Sequence, residues 1–339
     1  MSKLFKNVVA SLLVGYASQV SAQTVSTPIV GFQTISVPVG LSTAGFPLLN
    51  SDLLKTSATS LTGNSLSLSG ETNVGSKLTS GEPYYIEVYS GNLKGDRFEV
   101  NTASTINAAN GTVVLDSASG NNTYAVSSIA SQLDGATVAL RKHVTIEQVQ
   151  AMSSASLVGS NTQTSADQIQ LYNSTTQAYD SYFLRGDGIT WRKVGTTTSA
   201  NKVPIPPGTG VFVSKKSGAV NLTATGTVRQ NDFSSPYKVG LQLLAPGYPL
   251  DLSPSGLGGT SVNGWTGSNT QTAADQIQTY NPVTQAYDAY FLRGDGTTWR
   301  KVGTTTTVTT SNVVASGGAY FASRKTADEN NILVNPISP

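Results

Sequence analysis

Gly159 to Thr198 reads GSNTQTSADQIQLYNSTTQAYDSYFLRGDGITWRKVGTTT, and Gly267 to Thr306 reads GSNTQTAADQIQTYNPVTQAYDAYFLRGDGTTWRKVGTTT. The copies lie 108 residues apart and differ at six positions: Ser165/Ala273, Leu171/Thr279, Ser174/Pro282, Thr175/Val283, Ser181/Ala289 and Ile189/Thr297. A whole module has been duplicated, and its pattern is that of a β-meander. Asp167 to Tyr172 forms a first strand, Asn173 to Thr176 a turn, Ala178 to Leu184 a second strand, Gly186-Asp187-Gly188 a tight turn, and Thr190 to Val194 a third strand. The second copy supports the turn: Pro282 suits the fixed φ of a β-turn and would be a defect in a central strand. Replacement of Leu171 by Thr279 marks that side of the first strand as at most partly buried, which leaves Ile169 and Ile277 to face the core.

The start of the chain carries a different signal. Lys3 and Lys6 precede the apolar run Val8 to Val14, and Val20-Ser21-Ala22 ends the stretch with small residues before Gln23. This is the layout of a secretory leader, and the apolar run is too short for a bilayer core of about 30 Å. Without residues 1–22 the chain has nineteen basic and nineteen acidic side chains. A neutral chain with no basic stripe gives no reason to expect nucleic acid or an anionic membrane as a partner. Charged residues are 12% of the whole, about half the usual quarter, so Ser, Thr, Asn, Gln and Gly must cover the surface. No cysteine is present, so each domain has to stand on its own core rather than on disulfides.

Strand patterns fill the rest of the chain. Pro28 to Pro38 is a β-branched run with Val30, Phe32, Thr34 and Ser36 on one side, closed by proline as an edge strand is. Pro83 to Ser90 and Arg97 to Asn101 form a hairpin around Gly91 to Gly95, and Thr112 to Asp116 and Gly135 to Leu140 are further strands. One short helix is expected over Thr145 to Met152, with Thr145 as N-cap and Gln148 completing a capping box. Val211 to Lys215 follows the first copy as Gly318 to Ala322 follows the second, with Gly210 aligned to Gly318. Gly45-Phe-Pro-Leu48 is echoed by Gly247-Tyr-Pro-Leu250, which hints at a unit larger than the quoted repeat. The expected architecture is all-β: sandwich or barrel-like modules with an internal duplication and at most one or two short helices. It divides into a leader (1–22), an N-terminal β domain (23–158), a first repeat module (159–220), a connecting β segment (221–266) and a second repeat module (267–339).

Val30-Gly-Phe-Gln-Thr34, Pro83-Tyr-Tyr-Ile-Glu-Val88, Ala166-Asp-Gln-Ile-Gln-Leu-Tyr-Asn173, Trp191 and Ile205-Pro-Pro-Gly-Thr-Gly-Val-Phe-Val213 together resemble an uncharacterised family of exported proteins found as multiple paralogues in verrucomicrobial bacteria. The likeness covers most of residues 28–230, and the extra copy from Gly267 to Lys325 departs from it. It implies export and β architecture, and carries no catalytic residue across.

Few side chains offer chemistry. A Ser/His/Asp triad needs a histidine, and the one present, His143, lies at a strand end outside both copies, where an exposed position explains it. Asp167, Asp180 and Asp187 recur as Asp275, Asp288 and Asp295, and a suitably spaced pair can hydrolyse a glycosidic bond, although aspartates beside turns more often bond the backbone. Calcium is the one metal such turns suit, yet the spaced D-x-D-x-D-G loop is absent. Arg185-Gly-Asp187 and Arg293-Gly-Asp295 spell an integrin tripeptide, for which hairpin turn chemistry is the simpler account. Tyr179, Tyr182 and Trp191, with Tyr287, Tyr290 and Trp299, are the candidate ligand-binding residues, since rigid aromatics beside neutral polar groups stack on sugar rings.

These observations point to a secreted, non-enzymatic structural or adhesive protein of the cell surface, extracellular space or periplasm, with no transmembrane segment in the mature chain. A carbohydrate-binding protein using the repeated aromatics is the alternative. The expected partners are a second copy of itself, through exposed strand edges, or a polysaccharide. An outer-membrane barrel does not fit, because the strands lack an outward apolar band with aromatic girdles.

Overall fold

A computed structural model describes residues 28–326 and 328–337; the expected leader lies outside the described residues. Strands β1 (Val30–Val37) and β2 (Gly40–Gly45) come first. Then follow β3 (Asp52–Thr62), β4 (Ser65–Leu68), β5 (Tyr84–Val88), β6 (Arg97–Val100), helix α1 (Thr102–Ala108), β7 (Thr112–Val114) and β8 (Thr137–Lys142). After β9 (Val144–Thr145) and helix α2 (Ile146–Ala151), the first copy gives β10 (Gln168–Asn173), β11 (Ala178–Leu184) and β12 (Trp191–Lys193). The short β13 (Pro204–Ile205), then β14 (Gly210–Lys215) and β15 (Val220–Thr227), complete this half. The second half comprises β16 (Phe233–Tyr237), β17 (Gly240–Leu244), β18 (Gln276–Asn281), β19 (Ala286–Leu292), β20 (Trp299–Lys301), β21 (Tyr320–Arg324) and β22 (Glu329–Leu333). The fold is all-β, with every strand pair antiparallel.

Pairing reveals a duplication larger than the quoted repeat. One five-stranded sheet has the order β12-β11-β10-β14-β2 and the other β20-β19-β18-β21-β17. Beside each sheet lies a two-stranded ribbon, β1-β15 in one half and β16-β22 in the other. The register equates Phe212 with Phe321, since Gln170 and Gln278 face them, and Gly40 with Gly240, since Lys215 and Arg324 face them. Gly210 therefore corresponds to Ala319, not to Gly318: a residue is added between β20 and β21, and the offset becomes 109. For the first two strands of each unit the offset is 200 residues. The excess of 92 over the repeat spacing is a domain inserted after β2, holding the six-stranded sheet β6-β5-β8-β3-β4-β7 over its own core around Ile86, Phe98, Val113 and Leu140.

The expected boundary at residue 158 is thus redrawn. Residues 30–49 belong with residues 210–227, because β1 and β2 find their partners in β15 and β14. The segment 221–266 is not a connector either, since it supplies β15 to one unit and β16 and β17 to the other.

Each five-stranded sheet is covered on both faces. Val211, Val213, Ile169, Leu184 and Trp191 lie over the core of the first unit, and Ala322, Ile277, Leu292 and Trp299 over that of the second. The opposite faces meet each other at a seam of Phe212, Leu243, Ala319 and Phe321, flanked by Leu41, Leu241, Tyr172 and Tyr280. An unbroken apolar run such as Val211-Phe212-Val213 is what a doubly covered strand requires. The seam has a pseudo-twofold character: Tyr172 meets Phe321 edge-on at 5.4 Å, as Tyr280 meets Phe212 at 5.4 Å. Gly45 N–H donates to Gly317 O, and Ala245 N–H to Gly208 O, each at 2.8 Å. Gln177 and Gln285 adopt φ of 53° and 52°, a region costly for residues with a Cβ. Each turns its carboxamide across the seam, to Leu241 O and Leu41 O respectively.

The inserted domain docks on the second unit through buried charges. Glu87 is ion-paired with Arg229 and, at 3.1 Å, with Arg141. Asn231 Nδ2 donates to Val88 O at 3.1 Å, Arg97 to Ser234 O at 3.0 Å, and Ser234 N–H to Gly95 O at 3.0 Å. His143 is part of this interior and is not exposed: it is fully buried, bonded to Glu99 at 2.6 Å and stacked on Tyr85. The expected exposed histidine is corrected, since β8 runs through the middle of its sheet and is covered by the junction.

Two outcomes follow. A Cβ on Gly210 would lie 2.5 Å from Ala319 Cβ and 2.9 Å from Leu244 O, so Gly210→Val is expected to lower the unfolding free energy in urea by about 1–3 kcal/mol, the usual effect of overpacking. At the junction, burial pushes the Asp96 carboxyl from 3.8 up to about 6. A raised folded value favours the protonated form, so stability from this group is present below the unfolded value and lost as pH rises through about 6. Asp96→Asn should raise the urea midpoint at pH 8, leave it nearly unchanged at pH 4, and so flatten its pH dependence.

Candidate functional site

The recurrent carboxylates are each engaged by a neighbour. Asp167 is buried, ion-paired with Lys215, and accepts from the N–H groups of Val158 and Lys216, each at 2.7 Å. Asp275 repeats this with Arg324 at 3.2 Å and the N–H groups of Thr266 and Lys325, and burial pushes its carboxyl up. These pairs pin the segment entering β10 or β18 to the end of β14 or β21. The signal was present in the sequence as the basic pairs Lys215-Lys216 and Arg324-Lys325, which the reading of the aspartates passed over. Asp187 Oδ1 accepts from the N–H groups of Ile189 and Thr190 at 3.0 and 2.9 Å, and Asp295 likewise from Thr297 and Thr298. The N–H of Ile189 with the hydroxyl and N–H of Thr190 holds the Asp187 carboxyl down at about 2, and the hydroxyl and N–H of Thr298 with the N–H of Thr297 does the same for Asp295. The Arg-Gly-Asp tripeptides therefore carry their aspartates as turn caps. Among the described residues no group of three or more His, Asp and Glu side chains converges as a metal site would.

The candidate aromatics separate into three roles. Trp191 and Trp299 are fully buried, and their indole N–H groups donate to Gln150 Oε1 at 2.7 Å and to Gly259 O at 2.5 Å. A stacking role for these two is corrected to core packing, because their faces meet the protein interior. Tyr179 and Tyr287 are 41% and 47% exposed at the rim of the seam, where burial raises both hydroxyls above their ordinary value. Tyr182 and Tyr290 are mostly buried, yet each lines the floor of a groove.

These two grooves are equivalent in the two units. The first is lined by Leu171, Tyr172, Asn173, Asp180 and Tyr182, and the second by Thr279, Tyr280, Asn281, Asp288 and Tyr290. In both, the aspartate is bonded to a lysine, Asp180 to Lys193 and Asp288 to Lys301, at 2.6 Å. Their far walls differ. Gly120 and Asn121 of the inserted domain border the first groove, and Lys238 Nζ donates to Gly120 O at 3.0 Å. The second is walled by Thr34, Ser36 and Asn312, with no segment of the inserted domain across it. Hydroxyls, amides and a tyrosine face there are suited to hydrogen-bond and stack on a neutral, hydroxyl-rich ligand.

No protein-family model, curated protein or solved structure matches the chain. No helix among the described residues is long and apolar enough to cross a membrane.

Breaking the buried pair in the first unit gives a direct test of the carboxylate assignment. Lys215→Met leaves Asp167 buried without its cation and is expected to cost about 3–5 kcal/mol in urea unfolding. Lys215→Arg, which copies the second unit, should stay within about 1 kcal/mol of the native chain.

Proposed function

We propose that the chain is an exported, non-enzymatic structural or adhesive protein of the cell surface, extracellular space or periplasm. The observation that carries this reading is the use made of the repeat: its recurring carboxylates and tryptophans hold each unit together from within, and its seam tyrosines join the two units to each other. The duplicated module thereby enlarges a rigid β body with a near-neutral surface of hydroxyl and amide groups. Such a surface gives weak, many-point contact with other hydrated polymers rather than a single catalytic cleft. The leader-like start supports export, and the likeness to an exported β-rich family is in keeping with it.

A second reading is favoured by the open groove at Tyr280, Asn281, Asp288 and Tyr290, which offers a neutral glycan a polar wall and an aromatic floor. The two readings are compatible, since a wall-associated scaffold gains anchorage from binding polysaccharide.

Expression of the whole chain in a bacterial host, followed by fractionation and amino-terminal sequencing, is expected to give a product beginning at Gln23 outside the cytoplasm. A full-length product retained in the cytoplasm would contradict the export reading. For the glycan reading, pull-down on insoluble polysaccharides should be lost in Tyr280→Ala and Asp288→Ala together and kept in Tyr172→Ala and Asp180→Ala together.

A further inference from the structure

Among the described residues, strand β1 has one partnered edge and one open edge. Val228 N–H donates to Ile29 O at 2.8 Å, which fixes the alternation along the ribbon. Gly31, Gln33, Ile35 and Val37 therefore bond β15, while the backbone groups of Phe32, Thr34 and Ser36 point away from it. Among the described residues those three N–H groups have no backbone partner. The outward side chains on the same strand are apolar at its start: Phe32 is 78% exposed and Val30 69%. Large apolar groups on an open strand edge are normally blunted by charge or covered. No charged residue occurs from Pro28 to Ser51.

The molecule itself shows what covers this position. The pairings Val37 with Val220 and Tyr237 with Glu329 make β16 the counterpart of β1, and Ser234 the counterpart of Thr34. Ser234 N–H donates to Gly95 O, and Ser234 O accepts from Arg97, each at 3.0 Å. In the second unit the edge is thus capped by main chain and an arginine of the inserted domain. There is one inserted domain for two units, so among the described residues the edge of β1 has no such cap.

We propose that the open edge of β1 pairs antiparallel with β1 of a second copy of this chain. The strand is self-complementary in this arrangement. Centred on Gln33, a twofold axis sets Phe32 opposite Thr34 of the second copy and Val30 opposite Ser36, with the two Phe32 rings diagonal neighbours across the axis. An uncharged edge meets its own copy without repulsion and gives a charged partner nothing to pair with. Packing of like units about a twofold axis is also how the seam within one chain is built. The proposal does not depend on the scaffold reading: an exported chain that never dimerises overturns the proposal and leaves that reading intact.

The test is sedimentation velocity of the mature chain, residues 23–339, from low to high micromolar concentration. The expected result is a monomer–dimer equilibrium that Phe32→Lys and Thr34→Pro each weaken at least tenfold, with circular dichroism unchanged. Thr34→Pro removes an outward N–H, a position where an edge strand accepts proline, and Phe32 is exposed enough that its replacement leaves the core alone. Val283→Lys, at an exposed turn in the second unit, should leave the dimer intact. A chain monomeric throughout, a dimer that both edge variants leave unchanged, or one that Val283→Lys disrupts instead would overturn the proposal.

Discussion

The close approach of β14 to β21 is the constraint on which the other parts depend. Gly210 and Ala319 stand at a close approach of the two sheets, where even a methyl on Gly210 would meet Ala319 Cβ at 2.5 Å beside Phe212 and Phe321. Because both sheets are covered on both faces, neither can relax away from the seam without exposing Leu243, Phe212 or Phe321. Full burial of residues of this size is worth about 1.5–3 kcal/mol each, which makes the seam comparable in worth to a small core. The strained backbone at Gln177 and Gln285 is consistent with this: the seam bonds their carboxamides make reward a left-handed conformation that glycine would adopt more easily.

The inserted domain uses a different kind of contact. Glu87 with Arg141 and Arg229, together with Arg97 on Ser234, is a directional network buried at the junction. Buried ion pairs bring little net stability once desolvation is counted; what this one adds is orientation, since every bond requires one placement of β5 and β6 against the segment from Arg229 to Ser235. The domain leaves the first unit after β2 yet caps an edge of the second, and so it ties the two units together and breaks their symmetry. The two grooves differ for the same reason, with Gly120 and Asn121 of the inserted domain across one and Thr34, Ser36 and Asn312 across the other.

Local features were legible in the sequence where local chemistry decides them. The three strands of each copy, the Asn173 and Asn281 turns, the inward Ile169 and Ile277, and the division of β1 into two faces all follow from alternation and turn residues, while which face of β1 is exposed does not. The helix at residues 146–151 was signalled by its capping pair, and Gln148 Oε1 does accept from Thr145 N–H. Helix α1 was not read, because Thr102 to Ala108 has almost no apolar periodicity and Asn101 is its one signal. Long-range facts stayed hidden. Nothing near Val30 shows that its partner is Thr227, so the unit boundaries and the insertion came only with the pairing. Burial of His143 and of both repeat tryptophans likewise depends on what packs above them, and a repeated tryptophan looks the same in a core as on a binding face.

Two copies of one unit form a single body through the seam, with the inserted domain attached to it. Hydrogen exchange on the mature chain under native conditions addresses this most directly. The amides of β10, β14, β18 and β21 are expected to share one opening free energy, equal to that of global unfolding, because neither unit can open while the other stays folded. Separate and well-resolved opening energies for β10 and β14 on one side and β18 and β21 on the other would show that the units unfold independently, and would contradict it.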